Sequence, residues 1–225
     1  MADLMAARRQ TWRPAGTLLV AAVLLWAVLA GVGRLLAHQL ASSALVRWDG
    51  SLDRTLAAHR NPTLNQLSQL ATFGAETITV IAVGLLAFAL LRWRLGRWRE
   101  SIFLAACVVG EVTVFLGTTL VVDRHRPDVP RLDAAPPTSS FPSGHTAAST
   151  ALYGALAVIA WRVGRAGWLK ALAAVVAVGM PVAVAMSRLY RGMHYPSDVL
   201  AGALLAVCWV AVCRVVLLSE RGRTR

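Results

Sequence analysis

Six apolar stretches of about twenty residues, separated by short charged segments, constrain this chain more than any other feature. A run of that length is what a helix needs to cross a bilayer core. In hydrocarbon every backbone polar group must be satisfied within the segment itself, which favours helices. The stretches fall at residues 17–36, 72–91, 101–122, about 145–161, 169–186 and 199–218. The expectation is therefore an all-α polytopic membrane protein, one integral membrane domain over residues 1–225. Its 57% hydrophobic content and mean hydropathy of +0.59 exclude an ordinary soluble domain. The net charge of +12 would suggest nucleic acid as a partner. However, the basic residues, all arginine except Lys170, sit mostly in short segments between apolar stretches, where membrane topology explains them better. No nucleic-acid role is expected.

Six spans place both termini on one side. The N-terminal segment, the 92–99 and 162–170 loops and the tail after Leu218 are strongly basic. By the positive-inside rule residues 1–16 and 219–225 are cytoplasmic tails, and the loop at 123–145 faces outward. In a bacterium that side is periplasmic. Trp12, Trp93, Trp98, Trp161 and Trp168 flank the inner ends as an interfacial aromatic belt would. Residues 38–68 mix Leu45, Trp48, Leu52 and Leu56 at helical spacing with Arg47, Asp49, Asp53 and Arg54, and Asn61-Pro62 marks a break. This predicts short amphipathic helices on the membrane surface. Cys107, Cys208 and Cys213 lie inside apolar stretches and read as small hydrophobes, with no metal spacing.

Three polar clusters interrupt this pattern, and alternation of the spans brings all three to the outer face. They are Arg124-His125-Arg126-Pro127, then Phe141-Pro142-Ser143-Gly144-His145, then the segment from Ser187 to Asp198. Arg126 and Arg188 carry planar forks of donors suited to phosphate oxygens. Pro142 reads as the first residue of a helix, with the unpaired backbone N–H groups of Ser143, Gly144 and His145 open to an anion. Pro196 reads as another helix start. Asp198 follows it, placed to hold one ring nitrogen of His194 and leave the other as a nucleophile. Two histidines with an arginine clamp suffice for covalent phosphoryl transfer.

These clusters resemble the signature of the type 2 phosphatidic acid phosphatase family, which includes vanadium-dependent haloperoxidases: K-x6-R-P, then P-S-G-H, then S-R-x5-H-x3-D. The second motif is complete at Pro142 to His145, and the third at Ser187, Arg188, His194 and Asp198. The first keeps Arg126-Pro127 but has Thr119 where the family carries lysine. The resemblance implies a metal-independent membrane hydrolase without cofactor, acting on a lipid phosphate or diphosphate. Phosphatidic acid, phosphatidylglycerol phosphate and undecaprenyl diphosphate are the candidate substrates. It implies a phosphohistidine at His194 oriented by Asp198, His145 as general acid, and Arg126, Arg188, Ser143 and Gly144 on the phosphate. Arg124 is a candidate to make good the charge missing at Thr119, itself a candidate contact. The alternative is a headgroup-binding or transport protein of the same fold with weak or no catalysis. His59 and His125 read as polar surface, His38 as an interfacial residue at the outer end of the first span, and Arg191 as a substrate contact or a loop anchor. Glu111, in the middle of the third span, is functional by default or a packing residue.

Overall fold

The computed structural model describes residues 2–219, with side chains from residue 14 onward. The side chains of Arg8, Arg9, Trp12 and Arg13, and the basic residues after 219, lie outside the described residues. Helix α1 (Ala2–Arg34) continues through a wider π-type turn, Leu35–Gln39, and α2 (Ala44–Ala58) and α3 (Pro62–Phe73) follow. Next come α4 (Thr77–Ala89), with its own wide turn at Leu90–Arg94, and α5 (Trp98–Thr119). The chain ends in α6 (Gly144–Val163), α7 (Gly167–Tyr190) and α8 (Pro196–Leu218). Six of these helices, α1 and α4 to α8, are long and apolar enough to cross a membrane, as the hydropathy predicted. The segment expected as an inner tail at 1–16 is helical from Ala2 and runs straight into the first span. The second span starts later than expected, at Thr77, because Gly74–Glu76 separates it from α3.

The core lies where α5, α6 and α8 meet. Phe103, Leu104 and Cys107 of α5 pack with Ala151, Leu152 and Ala155 of α6 and with Ala206, Trp209 and Cys213 of α8. Alanine and glycine at these contacts let the backbones approach, which in a membrane stands in for the missing hydrophobic drive between helices. Gly202 makes a close approach to backbone: a Cβ there would come within 2.4 Å of the Ser143 carbonyl oxygen. That contact draws the starts of α6 and α8 together. Gly154 and Gly179 have open space around them, so close packing does not explain those two glycines. The outward faces stay apolar, with Ile78, Leu85, Leu86, Val175 and Leu200 exposed, as helices bathed in lipid require. Trp93, Trp98, Trp161 and Trp168 are exposed near the predicted inner ends.

The short helices are amphipathic, but their polar faces point inward. Asn61 caps α3 by accepting the Leu64 N–H at 2.9 Å, and Pro62 follows at the first helical position. In α2, Leu45 and Trp48 are exposed while Asp49 and Asp53 are buried. In α3, Leu67, Leu70 and Phe73 are exposed while Ser68 and Thr72 are buried. The buried polar faces grip the loops that carry the three clusters.

Candidate active site

The carboxy-terminal ends of α5 and α7 and the starts of α6 and α8 meet at one end of the bundle, together with the 123–143 segment. A cleft of about 630 Å³ opens there, lined by Arg126, His145, Arg188, His194 and the backbone around Gly144. The topology thus brings these residues, far apart in sequence, to one wall. A hollow of about 840 Å³ lies at the opposite end, around Trp161, Arg162 and Arg214, and holds no convergent histidine or carboxylate.

His194 precedes α8 in a turn that Gly192 makes possible, with φ of +71°. Its ring is buried, and Nδ1 lies 2.7 Å from the Ser140 carbonyl oxygen. A carbonyl can only accept, so Nδ1 carries the proton and Nε2 keeps its lone pair. Burial, followed by the charges of Arg126 and Arg188, holds this imidazole well below the usual histidine range. It is a neutral base in a cationic cleft.

Here the structure departs from the sequence expectation. Asp198 does not hold the His194 ring directly: its Oδ2 lies 3.9 Å from Nδ1 and accepts the Tyr195 backbone N–H at 2.9 Å, capping α8. Its Oδ1 accepts from Arg124 Nη1 at 2.5 Å, and its backbone oxygen accepts the Ser143 N–H at 2.9 Å. Asp198 therefore ties α8, α6 and the 123–143 segment together around the histidine. Arg124 is likewise turned away from the cleft. Its side chain is buried, it also donates to Asp49 Oδ2 at 2.9 Å and Ser197 Oγ at 2.7 Å, and it stacks over Tyr195 at 4.4 Å. A guanidinium held by two buried carboxylates is a structural ion cluster, not a free phosphate ligand.

The helix start is also offset. Ser143 is the N-cap and Pro142 precedes it through a cis peptide bond, so the first turn opens at Gly144. The Ser143 N–H is already taken by Asp198, and its hydroxyl pairs with Thr146 Oγ1 at 3.0 Å. Ser143 is fully buried beside the cleft and does not line it. Gly144 and His145, whose first-turn backbone N–H groups have no intrahelical partner, do line it. Gly144 packs against Phe115, where a Cβ would meet the ring at 2.6 Å. Thr119, at the family's lysine position, donates its hydroxyl to the Leu116 carbonyl at 2.9 Å. It lines a neighbouring hollow of about 910 Å³ with Arg124 and Arg131, and not the histidine cleft.

Arg126 and Arg188 stand where the sequence put them. Arg126 Nη1 donates to the Met193 carbonyl at 2.8 Å, and Arg188 Nη1 to Asp133 Oδ2 at 2.8 Å. Each keeps a buried Nε–H with no partner among the described residues. Arg191 proves to be a loop anchor: it grips Asp133 at 2.5 and 2.8 Å, and also reaches Ser68 and the carbonyls of Asn65 and Leu132. Burial would raise the Asp133 carboxyl, but the Arg191 hydrogen bond and the Arg188 charge outweigh it and keep the group below the usual range. Asp133 and Ser140 were missed because the proline-rich 128–140 segment carries no motif. Asp49 was missed because an acid on an amphipathic helix reads as solvated surface. Glu111 also lines the cleft.

The family model of the PAP2 superfamily matches residues 102–221, a little over half of the chain, including the second and third motifs. The chain belongs to the PAP2 superfamily, and it is a membrane enzyme of phosphatase type. Among solved structures, it is similar to a transmembrane PAP2-type phosphatidylglycerolphosphate phosphatase from Bacillus subtilis. That likeness has a TM-score of 0.76 and 20% identity, covering 92% of this chain and 98% of the other, and it bears out the six-span all-α fold. No curated protein is similar enough to count as a relative.

Proposed function

We propose that this protein hydrolyses a lipid phosphate or lipid diphosphate at the outer membrane surface through a phosphohistidine, without a metal. Phosphatidic acid, phosphatidylglycerol phosphate and undecaprenyl diphosphate are the substrates considered. The observation that carries the reading is the buried His194 ring, protonated on Nδ1 toward Ser140 and facing a cleft it shares with Arg126, Arg188 and His145.

Arg126, Arg188 and the N–H groups of Gly144 and His145 bind the phosphoryl oxygens and favour charge building up on them. Nε2 of His194 attacks phosphorus while the bond to the departing oxygen breaks. His145, protonated, gives its proton to that oxygen, and the lipid product leaves. A water then attacks the phosphohistidine, His145 takes its proton, and inorganic phosphate departs with His194 restored. The loop charges support an outward-facing cleft with cytoplasmic termini.

Phosphate release by the purified protein from the three lipids, in detergent with EDTA, tests the reading. Wild type is expected to release phosphate from at least one of them and His194→Ala to lose at least a thousandfold. Equal release by both proteins, or release that EDTA abolishes, would overturn it.

A further inference from the structure

Glu111 is the group the reaction leaves unexplained. It sits midway along α5, 1% exposed, and neither carboxylate oxygen meets a hydrogen-bonding partner among the described residues. It nevertheless lines the same cleft as His194, His145, Arg126 and Arg188. An unpaired carboxyl in hydrocarbon is costly enough that such a residue calls for a ligand, and it sits there as the neutral acid. In that form it has an O–H to donate and an oxygen to accept.

Its depth says what part of a ligand it meets. Phe115 is level with the start of α6, since it packs against Gly144. Glu111 comes one helical turn before Phe115, about 6 Å deeper in the span. Around it the cleft is apolar, walled by Val80, Ile81, Val108, Val112 and Ala148. Ile81 is 53% exposed and Leu116 51%, so this wall reaches the lipid-facing surface of α4 and α5. A lipid with its phosphate on His194 would lay its next groups down this wall. In an acylglycerol phosphate the ester carbonyl carbons follow the phosphorus by five and six bonds, roughly 6–7 Å along an extended chain. In a polyprenyl phosphate only hydrocarbon falls there.

We propose that Glu111 donates a hydrogen bond to an ester carbonyl of the bound lipid, and so selects acylglycerol phosphates over polyprenyl phosphates. The inference rests on the phosphatase reading above and deepens it. Without an ester, the acid stays unpaired in hydrocarbon and the complex carries that penalty. A site built around a polar partner rejects analogues lacking it more strongly than an apolar site can.

The test compares kcat/KM for dioleoyl phosphatidic acid, its ether-linked analogue without ester carbonyls, and undecaprenyl phosphate in detergent micelles. For wild type the ester lipid is expected to exceed the ether analogue by about tenfold, the worth of one buried hydrogen bond. In Glu111→Leu that ratio is expected to collapse toward one, and the ratio of ester lipid to undecaprenyl phosphate to fall by a similar factor. Glu111→Gln, whose amide still donates, should keep most of both ratios. Equal wild-type turnover of ester and ether lipids would overturn the proposal whatever the variants do, as would unchanged ratios in Glu111→Leu. Wild type inert toward these three lipids and toward phosphatidylglycerol phosphate and undecaprenyl diphosphate would overturn the phosphatase reading and this selection with it, whereas activity confined to the latter two would overturn the selection alone. Turnover with unaltered ratios would overturn the selection alone.

Discussion

Arg124 shows how residue type and residue role part company. Its sequence position, two residues before Arg126, suggests a phosphate ligand; its side chain instead neutralises Asp49 and Asp198 in a buried cluster. Removing one member of such a cluster leaves the others charged and unpaired, which costs about 3–5 kcal/mol. Arg124→Met is therefore expected to lower the thermal unfolding midpoint in detergent sharply, and Asp49→Asn added to it to recover part of the loss. A variant of native stability with weakened phosphate binding would return Arg124 to the substrate. His194 shows the converse: the motif identified it, but the carbonyl of Ser140, from a segment without any motif, sets its tautomer.

At the scale of elements, α2 matters more than its sequence suggested. It presents Asp49 and Asp53 inward on one face, next to the Arg124 cluster. Burial, then the charges of Asp49 and Asp198, push Asp53 up to about 7, and neither of its oxygens has a partner among the described residues. The native state therefore holds this proton across a window where the unfolded chain, with an ordinary carboxylate near 4, has lost it. Native binds more protons than unfolded there, so stability falls as pH rises from about 4 to about 7 and levels off above. Asp53→Asn removes the effect. Its melting temperature should exceed that of wild type by a margin that widens from pH 4 to pH 7 and then stays constant. A gap independent of pH would show that Asp53 does not titrate in this window. The 128–140 segment has a comparable part, since Asp133 joins Arg188 to Arg191 and so links the cleft to α3 and α7.

For the whole molecule, the arrangement is a bundle whose two ends differ in kind. One end gathers the histidines, arginines and buried acids; the other carries exposed indoles and basic loops. The orientation proposed from loop charge can be read with single cysteines in a chain lacking Cys107, Cys208 and Cys213. Asp128→Cys should react with an impermeant maleimide in intact cells, and Arg165→Cys only after permeabilisation. The reverse pattern would place the cleft on the cytoplasmic side.

Much of this was legible in the chain itself, for identifiable reasons. The six spans follow from the length of the apolar runs, since hydrocarbon admits few other structures. Asn61-Pro62 marked a break and Pro196 a helix start because capping and proline chemistry are local. The convergence of Arg126, His145, Arg188 and His194 on one cleft followed from alternation of the spans. What the sequence could not decide is which partner each polar group takes. Asp198 faces Arg124 and the α8 cap before His194, Ser143 spends its N–H on Asp198, and Thr119 turns back to its own helix. Those choices depend on side-chain direction and on contacts between residues far apart along the chain. Gly202 lying against Ser143 is one such contact, and it exists only once the helices have packed.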